Sequence, residues 1–318
     1  MIASSLCLFL AATTNVHSFQ LQQSKPTVTP NSNSALHALS DGGDRRSFMN
    51  GGVAAAASLL LPQFSAPANA ADAVDYKAVA QDIMDLVKKN PDWGPSNSGT
   101  YDKATNTGGS GAGTIRFKEE LAHGGNAGLA ATAVKWMEPI HAKYPGLSYA
   151  DLYTLGGVAS IKAMGGPTIG WSSGRQDQPV DFVTPDGRLP YADSGAPLAD
   201  KADADHLRSI FYRMGFNDQE IVILSGAHAL GRCHTTASLL TSLKWIPKDW
   251  SGPPQYVDGG TGKPMMLPTD YVLLDDKPFL KWVKVYAKDN DKFLKDFSKS
   301  FQKLEELGTS GLTATEWV

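Results

Sequence analysis

Apolar residues recur at helical spacing through most of the chain after Ala71. In the first such segment they stand at positions 76, 79, 80, 83 and 87, along one face of a 3.6-residue repeat. This spacing predicts an amphipathic helix that ends near Asn90. The same pattern predicts helices over residues 127–143, 149–164, 203–214, 276–287 and 291–307. Strict alternation, the signature of strands, is rare, so the chain is predicted to be all-α.

Polar stretches without periodicity separate these helices. Residues 105–113 are rich in Gly, Thr and Ser and predict a loop. Residues 167–200 predict a long surface excursion, and residues 248–264 predict a polar loop with Tyr256 as a candidate anchor. Asn217 and Glu220 have the spacing of a capping box, which predicts that a helix carrying His228 starts there.

Composition narrows the classes of function. The chain has 318 residues, of which 42% are hydrophobic and 19% are charged, with a formal net charge of -3. These values are typical of a globular protein with one large domain or two lobes. Without a basic excess, nucleic acid is not an expected partner. Only Cys7 and Cys233 occur, so no internal disulfide is expected once the leader is removed.

The first seventy residues have the composition of a targeting region. A short apolar start is followed by a polar, acid-poor stretch that ends near Ser40. Arg45 and Arg46 then precede an apolar run and the small-residue site Ala68-Asn69-Ala70, a pattern typical of twin-arginine export signals. We therefore expect a bipartite plastid and thylakoid targeting region over 1–70 and a folded domain over 71–318.

This targeting pattern predicts a plastid location in the thylakoid lumen, with the stroma as the alternative. A flexible, Ala-rich leader without a second signal is the simpler interpretation. The apolar run is shorter than the ~20 residues of a membrane helix, so no membrane span is expected.

The strongest chemical signal is the run IVILSGAHALGRCH at residues 221–234. It places His228 among small neighbours, which leave room for a large planar cofactor, and a second histidine, His234, follows six residues later. His228 is therefore a candidate haem ligand, although a buried histidine taken alone is more often structural.

Long runs from Ser98 to Leu307 extend this signal. They read SGTYDKATNTGG, TIRFKEELAHGGNAGL, MEPIHAKYP, YADLYTLGGVASI, GRLP, DHLRSIFYRMGFNDQEIVILSGAHALGRCH, MMLPTDYVL and AKDNDKFLKDFSKSFQKLEELG. In these runs the chain resembles the class I haem peroxidases, which include ascorbate peroxidase and cytochrome c peroxidase. The resemblance implies a two-lobed, all-α fold with haem b between a proximal and a distal helix.

The resemblance also implies roles for individual residues. His228 stands at the position of the proximal iron ligand, and Asp270 at that of the carboxylate that bonds its other nitrogen. His234 and Ser238 stand where the family binds a haem propionate. Asn126 stands where the family orients the distal histidine, and Glu120 lies in the same segment.

Two family segments have no counterpart in the sequence. The family carries an R-x-x-W-H run, the source of its acid–base histidine and its charge-stabilising arginine, between a Gly-Pro pair and SGTYD. Here Gly94-Pro95-Ser96-Asn97 leads directly to Ser98. A Gly-Pro-Trp segment is likewise missing between Ser238 and Leu239. Two interpretations are open: coding sequence is omitted in frame at both points, or the chain is a degenerate haem protein.

The function implied is reduction of hydrogen peroxide to water with an organic or protein electron donor. Ala229 and Ala237 replace the threonine and arginine of ascorbate peroxidases, which argues against a typical ascorbate site. A non-catalytic haem-binding protein and a haem-free structural remnant are the alternatives.

Overall fold

The computed structural model describes residues 74–89, 98–126, 128–189, 201–229, 241–250, 255–262 and 264–318. All of them belong to one of the two units into which contacts divide the chain, and the other unit, Asn15–Ala70, lies outside them. The predicted boundary at residue 70 therefore stays a prediction. The helices of the first half are α1 (Tyr76–Lys89), α2 (Lys118–Leu121), α3 (Lys135–Lys143) and α4 (Tyr149–Ala163).

The second half contains α5 (Lys201–Met214), α6 (Asp218–Ser225), α7 (Pro268–Asp275), α8 (Lys277–Lys288) and α9 (Asn290–Glu306). The short strands are β1 (Ser172–Ser173), β2 (Trp245–Pro247), β3 (Tyr256–Asp258), β4 (Met265–Met266) and β5 (Thr313–Ala314). Helices dominate, so the predicted all-α class is confirmed. None of the described helices is both long enough and apolar enough to cross a bilayer.

Helix α1 packs against α4 as the apolar spacing predicts. Val79, Ala80, Ile83 and Val87 form its buried face. Helix α4 is buried along almost its whole length, because its sequence is apolar or small on every side. Its N-terminus is capped by Ser148, whose side chain accepts a hydrogen bond from the Asp151 backbone N–H. Both helices contribute to the hydrophobic core of the described residues.

Of the helix predicted over residues 127–143, residues 130–143 are helical, and they begin with a π-helical stretch over Ala130–Val134 before α3. The π stretch shifts the hydrogen-bond register by one residue at this point.

The described part of the segment predicted as a surface excursion (residues 167–200), which is residues 167–189, is partly buried. Within it β1 pairs antiparallel with β5. Trp171 is buried, and the Arg175 guanidinium forms an ion pair with Asp151 at 3.0 Å with almost no exposure of either side chain. The polar composition of the segment did not predict this burial. A charged side chain is buried only with a partner, and the partner here, Asp151, lies on another element of the chain.

The segment predicted as a polar loop, residues 248–264, contains a strand. Strand β3 pairs with β2 on one side and with β4 on the other, both antiparallel. Tyr256 is buried and stacks on Tyr271 with ring centroids 4.2 Å apart, so it anchors this segment as expected. The prediction missed β3 because a three-residue strand is too short to show alternation.

Candidate functional site

Helix α6 has a firmly fixed start. The Asn217 side chain accepts the Glu220 backbone N–H at 3.1 Å, and Glu220 accepts the Asn217 N–H at 2.9 Å, which confirms the predicted capping box. The other Glu220 carboxylate oxygen accepts from Lys303 Nζ of α9 at 2.8 Å. These contacts set the direction in which the helix leads to His228.

His228 does not lie on α6 itself, in contrast to the prediction. The α-helix ends at Ser225, and Gly226–Ala229 continues as a 3₁₀ turn. The tighter turn rotates each side chain away from its α-helical direction. Gly226 permits close packing at the junction, because a Cβ atom there would lie 2.4 Å from the ring of Phe293 in α9. The histidine is thus presented by a short, closely packed turn.

His228 and Asp270 form the central contact of the site. Nδ1 of His228 lies 2.8 Å from Oδ1 of Asp270, and the two side chains are 10% and 5% exposed. Asp270 sits in the first turn of α7, where its Oδ2 also accepts the Leu267 N–H at 3.4 Å. The sequence separates the two residues by about forty positions, and the fold brings them together.

Two effects on the pKa of His228 oppose each other. Burial lowers the pKa of His228, but the charge of Asp270 and its hydrogen bond raise it more, so the pKa lies above its ordinary value. The Nδ1 proton is held toward the carboxylate. In the neutral imidazole, Nε2 is then the atom with a free lone pair. A single buried imidazole backed by a carboxylate is the donor set that fits a haem iron on its proximal face.

A second buried group contains Asn126 and Glu120. Asn126 ends a 3₁₀ turn over Gly124–Asn126, and its Nδ2 donates to the Glu120 backbone oxygen at 2.7 Å. Both side chains are almost fully buried. Burial raises the pKa of the Glu120 carboxyl, against a hydrogen bond from Thr114 that lowers it. The structure therefore brings together the two residues that the resemblance places in one segment.

Two arginines that were not predicted as site residues donate hydrogen bonds to the backbone of residues 99–101. Arg213 donates to the backbone oxygens of Thr100 at 3.1 Å and Gly99 at 2.9 Å, and it also bonds that of Tyr101. Arg188 donates to the same Thr100 oxygen at 3.1 Å. They fix the segment that follows Ser98. Their role leaves no sequence signal, because backbone carbonyls carry no residue identity.

Other predicted site residues are not placed. His234 and Ser238, the candidate propionate contacts, lie outside the described residues. Pro95–Asn97, which precede the SGTYD run, lie outside them as well. Three of the five predicted site residues are therefore placed. His228 is paired with Asp270, and Asn126 bonds to the backbone of Glu120.

The chain matches known proteins over most of its length. The model of the peroxidase family matches residues 79–289. The chain therefore belongs to the peroxidase family, which confirms the predicted haem-dependent peroxidase class, its haem cofactor and its fold.

Individual relatives of the chain are also peroxidases. The chain is 44% identical to a mitochondrial cytochrome c peroxidase of Pyricularia oryzae, over 94% of this chain and 86% of the relative. It is 44% identical to the Neurospora crassa protein of the same name, over 84% of this chain and 78% of the relative. It is 50% identical to that of Aspergillus fumigatus, over 66% of this chain and 60% of the relative.

These relatives correct one prediction. The predicted plastid location, in the thylakoid lumen or the stroma, was wrong, since the relatives are named as mitochondrial proteins. The physical reason lies in the leader. Acid-poor, Ser-rich stretches are typical of transit peptides to either organelle, so composition does not separate the two.

Proposed function

We propose that this peroxidase binds haem through Nε2 of His228 and reduces hydrogen peroxide to water. The single observation that carries the assignment is the buried His228–Asp270 contact of 2.8 Å. It supplies one donor atom, fixes the tautomer that exposes it, and places a negative charge behind the ring. Family membership supports the cofactor.

Asp270 has a positioning role in this proposal. By accepting the Nδ1 proton it holds the imidazole plane and makes the ring a stronger electron donor. Haem, when bound, supplies the redox chemistry that reduces the peroxide. The chain's own contribution on this side is orientation, exclusion of water and negative charge at a defined atom.

Asn126 has a positioning role on the opposite side. Its Nδ2 donates to the Glu120 backbone oxygen, which fixes the plane of the amide, and an amide oxygen is a suitable hydrogen-bond acceptor for the N–H of a neighbouring base. The family's general acid–base histidine has no counterpart in the sequence, which runs from Gly94-Pro95 through Ser96 and Asn97 to Ser98. We propose that the R-x-x-W-H and Gly-Pro-Trp segments are omitted from the printed sequence, and transcript sequencing across residues 95–98 and 238–239 tests this.

We further propose cytochrome c as the electron donor and the mitochondrion as the location. Both come from the names of the relatives. The alanines at 229 and 237 support this choice over ascorbate, since neither offers a polar group. Identities of 44% and 50% to cytochrome c peroxidases favour the working enzyme over a degenerate haem-binding protein.

The test is a His228→Ala variant expressed with haem. Removal of the axial ligand should lower haem affinity and turnover by more than the roughly 10–100-fold of a change behind the ligand. Haem absorbance per protein and peroxide-dependent oxidation of reduced cytochrome c are the measurements. His141→Ala, a histidine that stacks on Tyr149, is the matched control and should keep both. Full haem occupancy in His228→Ala would contradict the ligand assignment.

A further inference from the structure

Helix α6, which leads to the candidate iron ligand, is attached to α8 and α9 at both of its ends. Near its start, the Gln219 side chain donates to the Tyr286 hydroxyl of α8 at 2.8 Å and to Asp296 of α9 at 3.4 Å. Just past its end, Gly226 packs so closely on the Phe293 ring of α9 that a Cβ atom would lie 2.4 Å from it. Gln219 and Gly226 are about two helical turns apart, so both contacts lie on one side of the helix.

Tyr286 takes part in both attachments. Its hydroxyl accepts from Gln219 and donates to Asp296 Oδ2 at 3.1 Å. Its ring meets the Phe293 ring edge-on, with centroids 5.7 Å apart and planes at 73°, and Phe297 stacks on Phe293 at 5.8 Å. Tyr286 is only 3% exposed. One buried side chain thus joins the polar contact at the start of α6 to the ring that packs against its end.

The hydrogen bonds around Tyr286 keep one direction at neutral pH. Burial raises the pKa of Tyr286 to about 12, so its hydroxyl stays protonated and acts as the donor toward Asp296. Burial also acts to raise the pKa of Asp296, but hydrogen bonds from Lys292 and Tyr286 outweigh it, and that pKa lies below its ordinary value. The carboxylate stays ionised, with Lys292 Nζ at 2.8 Å. Because charge-assisted hydrogen bonds are stronger than neutral ones, the position of the Tyr286 ring is well defined.

The direction of the His228 imidazole depends on two points. Nδ1 lies 2.8 Å from Asp270, but the ring can pivot about that contact if its backbone moves. The backbone of His228 belongs to the 3₁₀ turn that starts at Gly226. Packing of Phe293 on Gly226 fixes the start of this turn, and with it the second point that sets where Nε2 is aimed.

We propose that Tyr286 is a positioning residue for His228, acting through the Phe293 ring on the turn that begins at Gly226. This inference rests on the proposed function, in which Nε2 of His228 binds the haem iron. Tyr286 holds the ring of Phe293, that ring holds the turn, and the turn aims Nε2. Loss of the Tyr286 ring lets the turn take more than one position, so the strength of the iron–imidazole bond varies from molecule to molecule.

The vibration of the iron–imidazole bond, measured by resonance Raman spectroscopy of the reduced, haem-loaded protein, tests this role. Tyr286→Leu should shift or broaden the band, whereas Tyr286→Phe, which keeps the ring, should retain the wild-type band. Phe301→Leu is the matched control, because Phe301 is a buried ring of α9 about two turns beyond Phe293. It should leave the band unchanged, and urea denaturation compares the stability lost in the two leucine variants.

Hydrogen exchange of the backbone amides of residues 226–229 is a second measurement that does not depend on haem. Exchange there should be on the order of 2- to 30-fold faster in Tyr286→Leu than in Phe301→Leu, the range typical of residues coupled through a packed chain. Phe293→Leu should cause the same change as Tyr286→Leu. The double variant should show no larger change, because both substitutions act on one path of contacts.

An unshifted band or unchanged exchange in Tyr286→Leu would overturn the proposal. Equal changes in Tyr286→Leu and Phe301→Leu would overturn it too, because they would show a general loosening of the fold, and so would additive effects in the double variant. If Tyr286→Leu does not fold, Phe293→Leu is subject to the same two measurements. Failure of the proposed function gives a different result, in which the wild-type protein has no iron–imidazole band or His228→Ala retains it.

Discussion

Two buried carboxyl groups lie in the regions that the family resemblance assigns to opposite sides of the haem, and their surroundings differ. Asp270 is 4% exposed and lies 2.8 Å from the imidazole of His228. Glu120 is 3% exposed, and burial raises its pKa against a single opposing hydrogen bond from neutral Thr114. Their environments thus differ: the Asp270 carboxyl lies against an imidazole that can carry positive charge, whereas at the Glu120 carboxyl desolvation outweighs the hydrogen bond from Thr114.

The contrast indicates what each side does. On the proximal side the carboxylate of Asp270 is held against the imidazole of His228, which favours a cationic metal centre. On the other side Glu120 contributes its backbone oxygen to Asn126, while its own carboxyl is held toward the protonated form. We infer that Glu120 supports the site by shape and hydrogen bonding, whereas Asp270 supports it by charge.

The largest effect is expected at Asp270. In Asp270→Asn the side chain keeps its shape but loses its charge, and the imidazole orientation is no longer enforced. Peroxidase turnover and haem affinity should fall about 10–100-fold, the range typical of residues behind a metal ligand. Steady-state oxidation of cytochrome c and the haem absorption spectrum are the measurements.

The matched control is Asp276→Asn, at the start of α8, where the carboxylate accepts from Arg208 at 2.7 Å. That change should affect stability without altering the haem spectrum. An Asp270→Asn protein with wild-type turnover would remove the distinction between the two carboxyls.

Sequence patterns predicted the helices, whereas the pairing of His228 with Asp270 was predicted from the family resemblance. Apolar spacing located α1 and α4, and the capping box located the start of α6. Both signals depend on neighbours within a few residues. His228 and Asp270 came from the family resemblance, since nothing local relates residues about forty positions apart.

Other features could not be predicted, because distant residues decide them. Helix α6 ends at Ser225, and the next residue, Gly226, packs closely against Phe293, which lies in α9. The burial of Arg175 depends on Asp151, and the fixation of Ser98–Tyr101 depends on Arg188 and Arg213. Side chains that bond to backbone carbonyls leave no pattern in the sequence around the acceptor.

The next largest effect is expected at Gly226. A methyl group there would lie 2.4 Å from the Phe293 ring, so the ring or the 3₁₀ turn has to move. Gly226→Ala should destabilise the protein by about 1–3 kcal/mol, as overpacking in a core typically does. Urea denaturation measures the effect, and Phe293→Leu in the same chain should restore part of the lost stability.

Gly124, in the other region, is the matched control. No atom lies within 4 Å of a Cβ atom built there, and its φ is not positive. Gly124→Ala should therefore change stability far less than Gly226→Ala. Equal losses of stability at both positions would show that the contact between Gly226 and the Phe293 ring does not make an added methyl group more destabilising there.

A smaller effect is expected at Asn126. Asn126→Ala removes the 2.7 Å hydrogen bond to the Glu120 oxygen, although that oxygen keeps the His123 N–H at 3.1 Å. The loss should be about 0.5–1.5 kcal/mol in urea denaturation, the usual net value of one hydrogen bond. If Asn126 orients a distal base, turnover falls as well. Unchanged turnover alongside the loss of stability would limit Asn126 to a structural role.

The smallest effect is expected at Glu120 and depends on pH. A carboxyl with a raised pKa binds its proton more tightly in the folded state than in the unfolded state. The wild-type protein is therefore penalised least below the ordinary pKa of 4.5, and the penalty grows as the pH rises through that value toward the folded-state pKa. Glu120→Gln cannot ionise and keeps an amide that can bond Thr114. Its stability relative to wild type should increase from pH 4 to pH 7, as measured by urea denaturation at each pH. A difference that stays constant over this range would mean that Glu120 ionises as freely in the folded protein as in the unfolded chain, and the contrast with Asp270 would then rest on the imidazole alone.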